Sequence, residues 1–123
     1  MQENNNEHIL KTIIVDKPWG SYLEFIRNTP ATVKILTINP GESISLQKHT
    51  ERDEFWLVIS GNGKATVGEQ VQDAKAGFEF HIKRGVQHRI SAESETLKIL
   101  EIALGNADEN EIVRLEDKYG RVD

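Results

Sequence analysis

The chain has 123 residues, of which 28% are charged and 37% hydrophobic, as expected for one ordinary globular domain. Its formal net charge of −5 argues against nucleic acid or an anionic membrane as the main partner, because both require a concentrated basic surface. The absence of cysteine excludes disulfides, thiolate metal sites and a cysteine nucleophile.

The N-terminal segment divides into a polar tail and an apolar stretch. Residues 1–8 are polar and are predicted to be a disordered tail of a single domain that occupies residues 1–123. Because there is neither a signal-peptide pattern nor a run of about 18 apolar residues, we expect a cytoplasmic protein. Residues 9–15 are apolar enough to form a strand or an arm that packs on a second copy, which predicts a homodimer.

Short apolar segments separated by turn residues follow along the rest of the chain. Residues 17–20, KPWG, form a predicted turn, and residues 60–63, SGNG, are typical of a hairpin. Residues 115–119 are predicted to form a short C-terminal helical turn. Strands at intervals of about 8–12 residues indicate an all-β sandwich or barrel. The predicted strands are residues 21–27, 32–39, 43–49, 54–59, 64–67, 70–74, 78–82, 88–92 and 96–104.

Four potential metal ligands occur at spacings that suit neighbouring strands. Gln47 and His49 are two residues apart, so on a strand their side chains share a face. Glu54 begins an apolar run, and His88 follows a turn at residues 83–85. Two imidazoles, a carboxylate and an amide oxygen form a mixed set of donors for Zn, Mn, Co or Fe. The sequence therefore predicts a divalent metal centre that keeps positions open for a ligand.

The glycines around these ligands complete two motifs, which resemble those of the cupin superfamily. That resemblance implies a double-stranded β-helix, or jelly-roll barrel. Glutamine as the first ligand, the KPWG turn and residues 115–121, LEDKYGR, are more closely similar to the cupin domain of type II phosphomannose isomerases. Such domains are often fused behind a mannose-1-phosphate guanylyltransferase, and the likeness runs from Lys17 to Arg121. The motif residues are Gly41, Gln47, His49, Glu54 and Gly61, then Gly77, Lys83, Gly85 and His88.

This resemblance implies interconversion of mannose 6-phosphate and fructose 6-phosphate by a metal-dependent isomerase, with Zn, Mn or Co as the expected metal. The metal would polarise the sugar oxygens while a base moves a proton between C1 and C2. No motif identifies the base. The resemblance marks Arg121 as important for activity, and Arg52 is expected to hold phosphate or brace Glu54 near the pocket mouth. The predicted substrate-binding residues are Lys48, Trp56 and Arg89.

The chain departs from the family pattern at three positions, and these keep other functions open. Thr50, Glu51 and Phe55 stand where the family has histidine. Since none is a predicted ligand, metal binding is expected to survive. The loss of the family's histidines at these positions favours a second hypothesis, a non-catalytic cupin that binds a sugar phosphate or small acid. A third, an iron-dependent dioxygenase, uses the same ligand types and is disfavoured only by the KPWG and LEDKYGR matches. The expected partner is a small phosphorylated sugar.

Overall fold

The computed structural model of the protein describes residues 9–122, so the predicted disordered tail lies outside the described residues. The described part folds into strands without a helix, and so it includes no helix able to cross a membrane. The strands are β1 (Ile13–Lys17), β2 (Gly20–Glu24), β3 (Thr32–Ile38), β4 (Leu46–Lys48), β5 (Arg52–Ser60), β6 (Asn62–Val67), β7 (Gln70–Lys75), β8 (Glu79–Ile82), β9 (His88–Ala92), β10 (Leu97–Gly105) and β11 (Val113–Glu116).

Two antiparallel sheets form the barrel, and the all-β prediction is confirmed. One sheet has the order β3-β10-β5-β8 and the other β11-β4-β9-β6-β7, while β1 and β2 form a separate hairpin across the predicted KPWG turn. Apolar side chains from both sheets meet in one core, as in any two-layered β domain. Its members include Ile38, Trp56, Val58, Ile82, Leu97 and Ile99 from the first sheet, with Ala65, Val67, Ala74, Ile90 and Ala92 from the second.

The outer face of β5 is covered by the N-terminal part of the same chain. Phe55 is fully buried there and packs with Leu10 and Ile102 in a second apolar cluster. The Phe25 ring lies against it, with 5.7 Å between the two ring centroids. The start of the segment predicted to be an arm for a partner therefore packs on its own barrel, while Ile14 remains exposed.

The prediction of a hairpin at residues 60–63 is wrong. β5 and β6 are consecutive in the chain but belong to different sheets, so this segment is a corner where the chain crosses between them. Gly61 has a φ of 93°, and a Cβ there would lie 2.1 Å from the carbonyl oxygen of Thr96. The same glycine-rich pattern that permits a tight hairpin also permits this close crossing of two backbones.

The C-terminal helical turn is also absent from the structure. β11 pairs antiparallel with β4, and β4 in turn pairs with β9, so the segment extends the second sheet. A turn then follows, in which the amide of Gly120 donates to the carbonyl of Asp117 at 3.1 Å. The Asp117 carboxylate accepts from the backbone amide of Arg121 at 2.7 Å, which closes this turn. Short segments of this kind carry too little periodicity to separate strand from helix.

Candidate metal centre and adjoining pocket

Three of the four predicted ligands meet inside the barrel. Glu54 points inward from β5 on one sheet, while His88 begins β9 on the other and His49 follows β4. All three are buried, and their donor atoms lie within 4.8 Å of one another. Glu54 stands between the two imidazoles, with each of its oxygens 3.4 Å from the Nε2 atom of one histidine. The two sheets therefore bring together residues that are far apart in the chain.

Backbone carbonyls orient both imidazoles. The Nδ1 atom of His49 lies 2.6 Å from the carbonyl oxygen of Glu111, and that of His88 lies 3.0 Å from the carbonyl oxygen of Val86. Because a carbonyl oxygen only accepts, Nδ1 carries the proton in both rings and Nε2 presents a lone pair to the centre. Burial lowers the pKa of His49, which favours this neutral form. Such outer contacts are typical of metal-binding histidines.

Two buried acceptors at the centre indicate what kind of group it suits. Oε1 of Glu54 and Nε2 of His88 are buried, and neither has a hydrogen-bond partner among the described residues. They lie 3.4 Å apart. When His88 is neutral, these two acceptors face each other without a donor, which is costly in a protein interior, and a divalent cation would satisfy both. One carboxylate and two imidazole nitrogens therefore fit a borderline divalent ion.

The charge of Glu54 supports the same assignment. Burial is the largest single influence and would raise the pKa of this carboxyl, but His88, His49 and Arg52 together outweigh it. The pKa falls to about 2, so the side chain is an anion at neutral pH. The guanidinium of Arg52 contributes directly, because its Nε atom donates to Oε2 of Glu54 at 2.9 Å.

Gln47, the fourth predicted ligand, lies beside the cluster. Its backbone pairs with that of His88, and its side-chain oxygen accepts from the Ser45 hydroxyl at 3.1 Å. Both Gln47 and Glu54 line the same pocket. Its role as a metal ligand stays a prediction.

A pocket of about 410 Å³ reaches the cluster at Glu54, and its lining includes neither His49 nor His88. Its lining includes Arg52 and Arg121, so the structure brings both predicted catalytic arginines to one place. Asp117 binds the Arg121 guanidinium through two hydrogen bonds of 2.8 and 3.0 Å. The catalytic roles of the two arginines stay predictions. The charged residues of the lining are Lys34, Arg52, Arg114 and Arg121, with Glu42, Glu54, Glu101 and Glu109.

The three predicted substrate-binding residues lie outside this lining. Trp56 is fully buried in the core, where its ring packs edge-on against that of His88 at 5.6 Å between centroids. Arg89 faces Glu116, with 3.3 Å between the Nη1 atom and the carboxylate. Lys48 pairs along β4 with β11. The structure therefore gives Trp56 a packing position next to a metal ligand and supplies no support for substrate contacts by these three residues.

Glu101 is a pocket residue that sequence reasoning missed. It lies on β10, and its carboxylate accepts from the Trp56 indole nitrogen at 3.1 Å. Burial, followed by the nearby charge of Glu54, raises the pKa of Glu101 to about 7. The available signal was a carboxylate in the middle of a largely apolar segment, residues 96–104.

Glu111 was missed as well, and it contacts two of the positions that depart from the family pattern. Its carboxylate accepts from the amide and hydroxyl of Thr50, at 2.9 and 3.0 Å, and from the amide of Glu51 at 3.0 Å. Phe55, the third departure, lies in the apolar cluster on the other side of β5. None of the three departures lies in the pocket lining.

A family profile described as "Mannose-6-phosphate isomerase C-terminal" matches residues 3–117 of the chain. The chain belongs to this family. It is 38% identical over 109 residues to the xanthan biosynthesis protein XanB of Xanthomonas campestris, covering 87% of this chain and 23% of that protein. It is 35% identical over 121 residues to a mannose-1-phosphate guanylyltransferase of Salmonella montevideo, covering 97% and 26% respectively. The chain thus spans about a quarter of the length of these relatives.

Solved structures confirm the cupin fold. A cupin protein from Bacteroides fragilis superimposes with a TM-score of 0.57 at 24% identity, covering 65% of this chain and 70% of that one. A double-stranded β-helix protein from Klebsiella pneumoniae gives a TM-score of 0.63 at 22% identity, covering 94% and 90%. At these identities the likeness shows the fold alone.

The named members of the family correct the predicted reaction. They are guanylyltransferases and proteins of xanthan and alginate biosynthesis, which is a different function from sugar-phosphate isomerisation. The prediction that this chain interconverts mannose 6-phosphate and fructose 6-phosphate is therefore wrong. Cupin motifs and the LEDKYGR tail identify the domain, but they do not specify the reaction of the proteins that contain it. What the relatives establish is an enzyme family of mannose metabolism.

Proposed function

We propose that this chain is a sugar-phosphate-binding cupin domain that holds a divalent ion at His49, Glu54 and His88. The phosphorylated sugar would occupy the adjoining pocket. The observation that carries this proposal is the composition of that pocket, where a buried His/Glu/His cluster meets a lining with several cationic side chains. A sugar phosphate is complementary to such a pocket. Its phosphate can bind arginine, and its hydroxyls can bind carboxylates and a metal ion.

The pocket can also bind a negatively charged ligand, although the chain as a whole is acidic. Arg121 enters the lining with its guanidinium held by Asp117, so little side-chain freedom is lost when it binds an anion. Glu42 and Glu101 supply acceptors for hydroxyl groups in the same lining. A bound divalent ion would add positive charge at the inner end, where it attracts ligand oxygens. These features support a small phosphorylated sugar as the proposed ligand.

We further propose mannose 1-phosphate as the ligand. A relative that aligns with 97% of this chain is named mannose-1-phosphate guanylyltransferase, and the chain corresponds to 26% of its length. A domain of that size can bind the sugar phosphate and tune or support a separate guanylyltransferase activity. We propose Zn, Mn or Co as the metal, on the mixed nitrogen and oxygen donors. The cytoplasmic location stays a prediction.

Isothermal titration calorimetry tests the binding function. The full chain would be stripped of metal, reloaded in turn with Zn, Mn and Co, and titrated with mannose 1-phosphate, mannose and inorganic phosphate. We expect mannose 1-phosphate to bind more tightly than either fragment. Arg121→Ala should weaken its binding by roughly tenfold or more, since hydrogen bonds to charged groups are strong. Arg27→Ala is the matched control, because Arg27 pairs with Glu24 outside the pocket lining. The proposal would be overturned if mannose 1-phosphate failed to bind in the presence of Zn, of Mn and of Co alike.

A further inference from the structure

We propose that Arg52 and the metal ion exclude one another, and that metal binding turns the Arg52 guanidinium into the pocket to bind the ligand phosphate. The domain would then bind metal first and phosphate second. The exclusion follows from the cluster geometry alone, whereas the identity of the phosphate ligand rests on the proposed function.

The guanidinium of Arg52 contacts two of the three metal-binding side chains. Arg52 lies two residues before Glu54 on β5, so both side chains point into the barrel. Its Nη2 atom is 3.0 Å from Nε2 of His49, and its Nε atom is 2.9 Å from Oε2 of Glu54. The remaining nitrogen, Nη1, lies 3.3 Å from the carbonyl oxygen of Asp108. The side chain is buried, so these protein acceptors take the place of water.

The contact with His49 makes the competition obligatory. An imidazole nitrogen without a proton has one lone pair in the plane of the ring. Nδ1 of His49 holds the proton because it faces the carbonyl oxygen of Glu111 at 2.6 Å. The single lone pair of Nε2 therefore either accepts from Arg52 or binds a metal ion. A metal that uses His49 must break this hydrogen bond.

Charge strengthens the exclusion. Arg52 carries a permanent positive charge, and a divalent ion bound by Glu54 and His49 would share its two partners. Like charges inside a buried site repel strongly because water screens them little. The orphaned acceptors, Oε1 of Glu54 and Nε2 of His88, meanwhile favour the ion. The Arg52 guanidinium and the metal ion therefore compete for the Glu54 carboxylate.

The adjoining pocket can accommodate the Arg52 side chain after it is displaced from the cluster. The side chain already belongs to the lining of the 410 Å³ pocket, which also contains Arg121 and Lys34. Once it leaves His49 and Glu54, its guanidinium offers several donors in a planar arrangement that matches a phosphate. Metal binding would thereby create an anion-binding group. By thermodynamic linkage, phosphate must raise metal affinity by the same factor as metal raises phosphate affinity.

The test measures metal and phosphate affinities by calorimetry on the metal-stripped full chain. Arg52→Met keeps an apolar stem without donors, and Arg27→Met is the matched control outside the pocket lining. We expect Arg52→Met to bind Mn or Co roughly tenfold more tightly than wild type when phosphate is absent. Phosphate should enhance metal binding more strongly in wild type and the control than in Arg52→Met, in which only the direct attraction between the ion and phosphate remains. Unchanged or weaker metal affinity in a folded Arg52→Met, or a phosphate enhancement equal to that of wild type, would overturn the inference.

Two further measurements keep the inference separate from the proposed sugar. If Arg52→Met misfolds, a crystal structure of metal-loaded wild type decides, and an Arg52 Nη2 atom still within hydrogen-bond distance of Nε2 of His49 would overturn the exclusion. Inorganic phosphate serves as the first anion probe. Coupling with inorganic phosphate but no added affinity for mannose 1-phosphate would overturn the proposed ligand while supporting the role of Arg52.

Discussion

Glu111 binds the segment that carries His49 by two routes. Its carbonyl oxygen faces Nδ1 of His49 at 2.6 Å, and its carboxylate accepts from the amides of Thr50 and Glu51. The segment before β11 therefore sets both the tautomer and the position of His49, a proposed metal ligand in the loop after β4. This arrangement belongs to the outer contacts that commonly govern metal affinity.

Replacing the Glu111 carboxylate should weaken metal binding without unfolding the barrel. We expect Glu111→Ala to lower metal affinity by about 10-fold to 100-fold, because Thr50 and Glu51 lose their acceptor and the segment that carries His49 is then held less firmly, although the Glu111 carbonyl that faces His49 remains. Calorimetric metal titration measures this effect. Glu109→Ala is the control, since Glu109 lies in the same segment but pairs with Lys34. Equal metal affinity in the two variants would contradict the assigned role of Glu111.

Substituting His88 and His81 in turn distinguishes an effect on metal binding from the effect of losing a buried histidine. Both are buried histidines, but His88 belongs to the metal cluster whereas His81 packs against Phe55 at 5.1 Å between ring centroids. Metal at 100 times its Kd should stabilise wild type by about 2.7 kcal/mol. His88→Ala should lose this stabilisation, and His81→Ala should keep it from a lower baseline. Thermal unfolding with and without metal measures both, and a full metal response in His88→Ala would exclude the proposed centre.

Glu101 should make the metal-free protein less stable as pH rises from about 4.5 to about 7. Burial and the charge of Glu54 raise the pKa of Glu101 to about 7, so the folded state holds a proton that the unfolded state releases near its ordinary value of 4.5. The folded state binds more protons in this window, and stability therefore falls with pH and levels off above it. Glu101→Gln retains an oxygen for the Trp56 indole and should remove this decline.

Urea unfolding of the metal-free protein at a series of pH values checks this prediction. The comparison of wild type with Glu101→Gln isolates the contribution of Glu101 from those of other carboxyl groups. An identical decline in both proteins between pH 4.5 and 7 would show that Glu101 does not titrate in this window.

The strands and the grouping of His49, Glu54 and His88 were predictable because both depend on local patterns. The apolar pattern that matches the alternating burial of β9 and the two-residue spacing of Gln47 and His49 are visible within a few residues of sequence. Glu101 and Glu111 were not predictable in this way. Glu101 acquires its role from a cross-strand position opposite Trp56, and Glu111 acquires its role from contacts with a loop about sixty residues earlier. Such long-range pairing is not encoded in any short motif.

The segment around Gly61 shows a second limit of local patterns. A Gly-Asn-Gly sequence between two strands is compatible with a hairpin and with a crossing between sheets. The choice depends on the partners of the two strands, which are β10 and β8 for β5, and β9 and β7 for β6. The isomerase prediction has a related origin, because a family's motifs define a fold and a site more closely than they define a reaction.

Substitution of Gly61 should destabilise the barrel more than substitution of another glycine with positive φ. A Cβ at Gly61 would lie 2.1 Å from the Thr96 carbonyl oxygen, whereas one at Gly41 would meet nothing within 4 Å. Gly41→Ala should therefore cost about 1 kcal/mol for backbone strain, and Gly61→Ala should cost more than about 3 kcal/mol because the backbones must separate. Urea unfolding of both variants measures the difference, and equal costs would contradict the close crossing.

The predicted homodimer remains a proposal, and the hairpin of β1 and β2 is the surface that favours it. Its side chains Ile14 and Trp19 are 69% and 72% exposed, and the hairpin is paired with neither barrel sheet. An isolated two-stranded hairpin is only marginally stable in water, so burying these side chains against a second copy would stabilise it. We expect wild type to be a dimer in light scattering at micromolar concentration.

Ile14→Lys combined with Trp19→Lys should convert this dimer to a folded monomer, because both substitutions place charge on the apolar surface. Ile35→Lys is the control, since Ile35 is 60% exposed but lies on β3 of a barrel sheet. Light scattering measures the mass of each variant, and circular dichroism reports whether the sheets persist. A monomeric wild type, or a dimer that survives the double substitution, would assign these apolar side chains a role other than dimerisation.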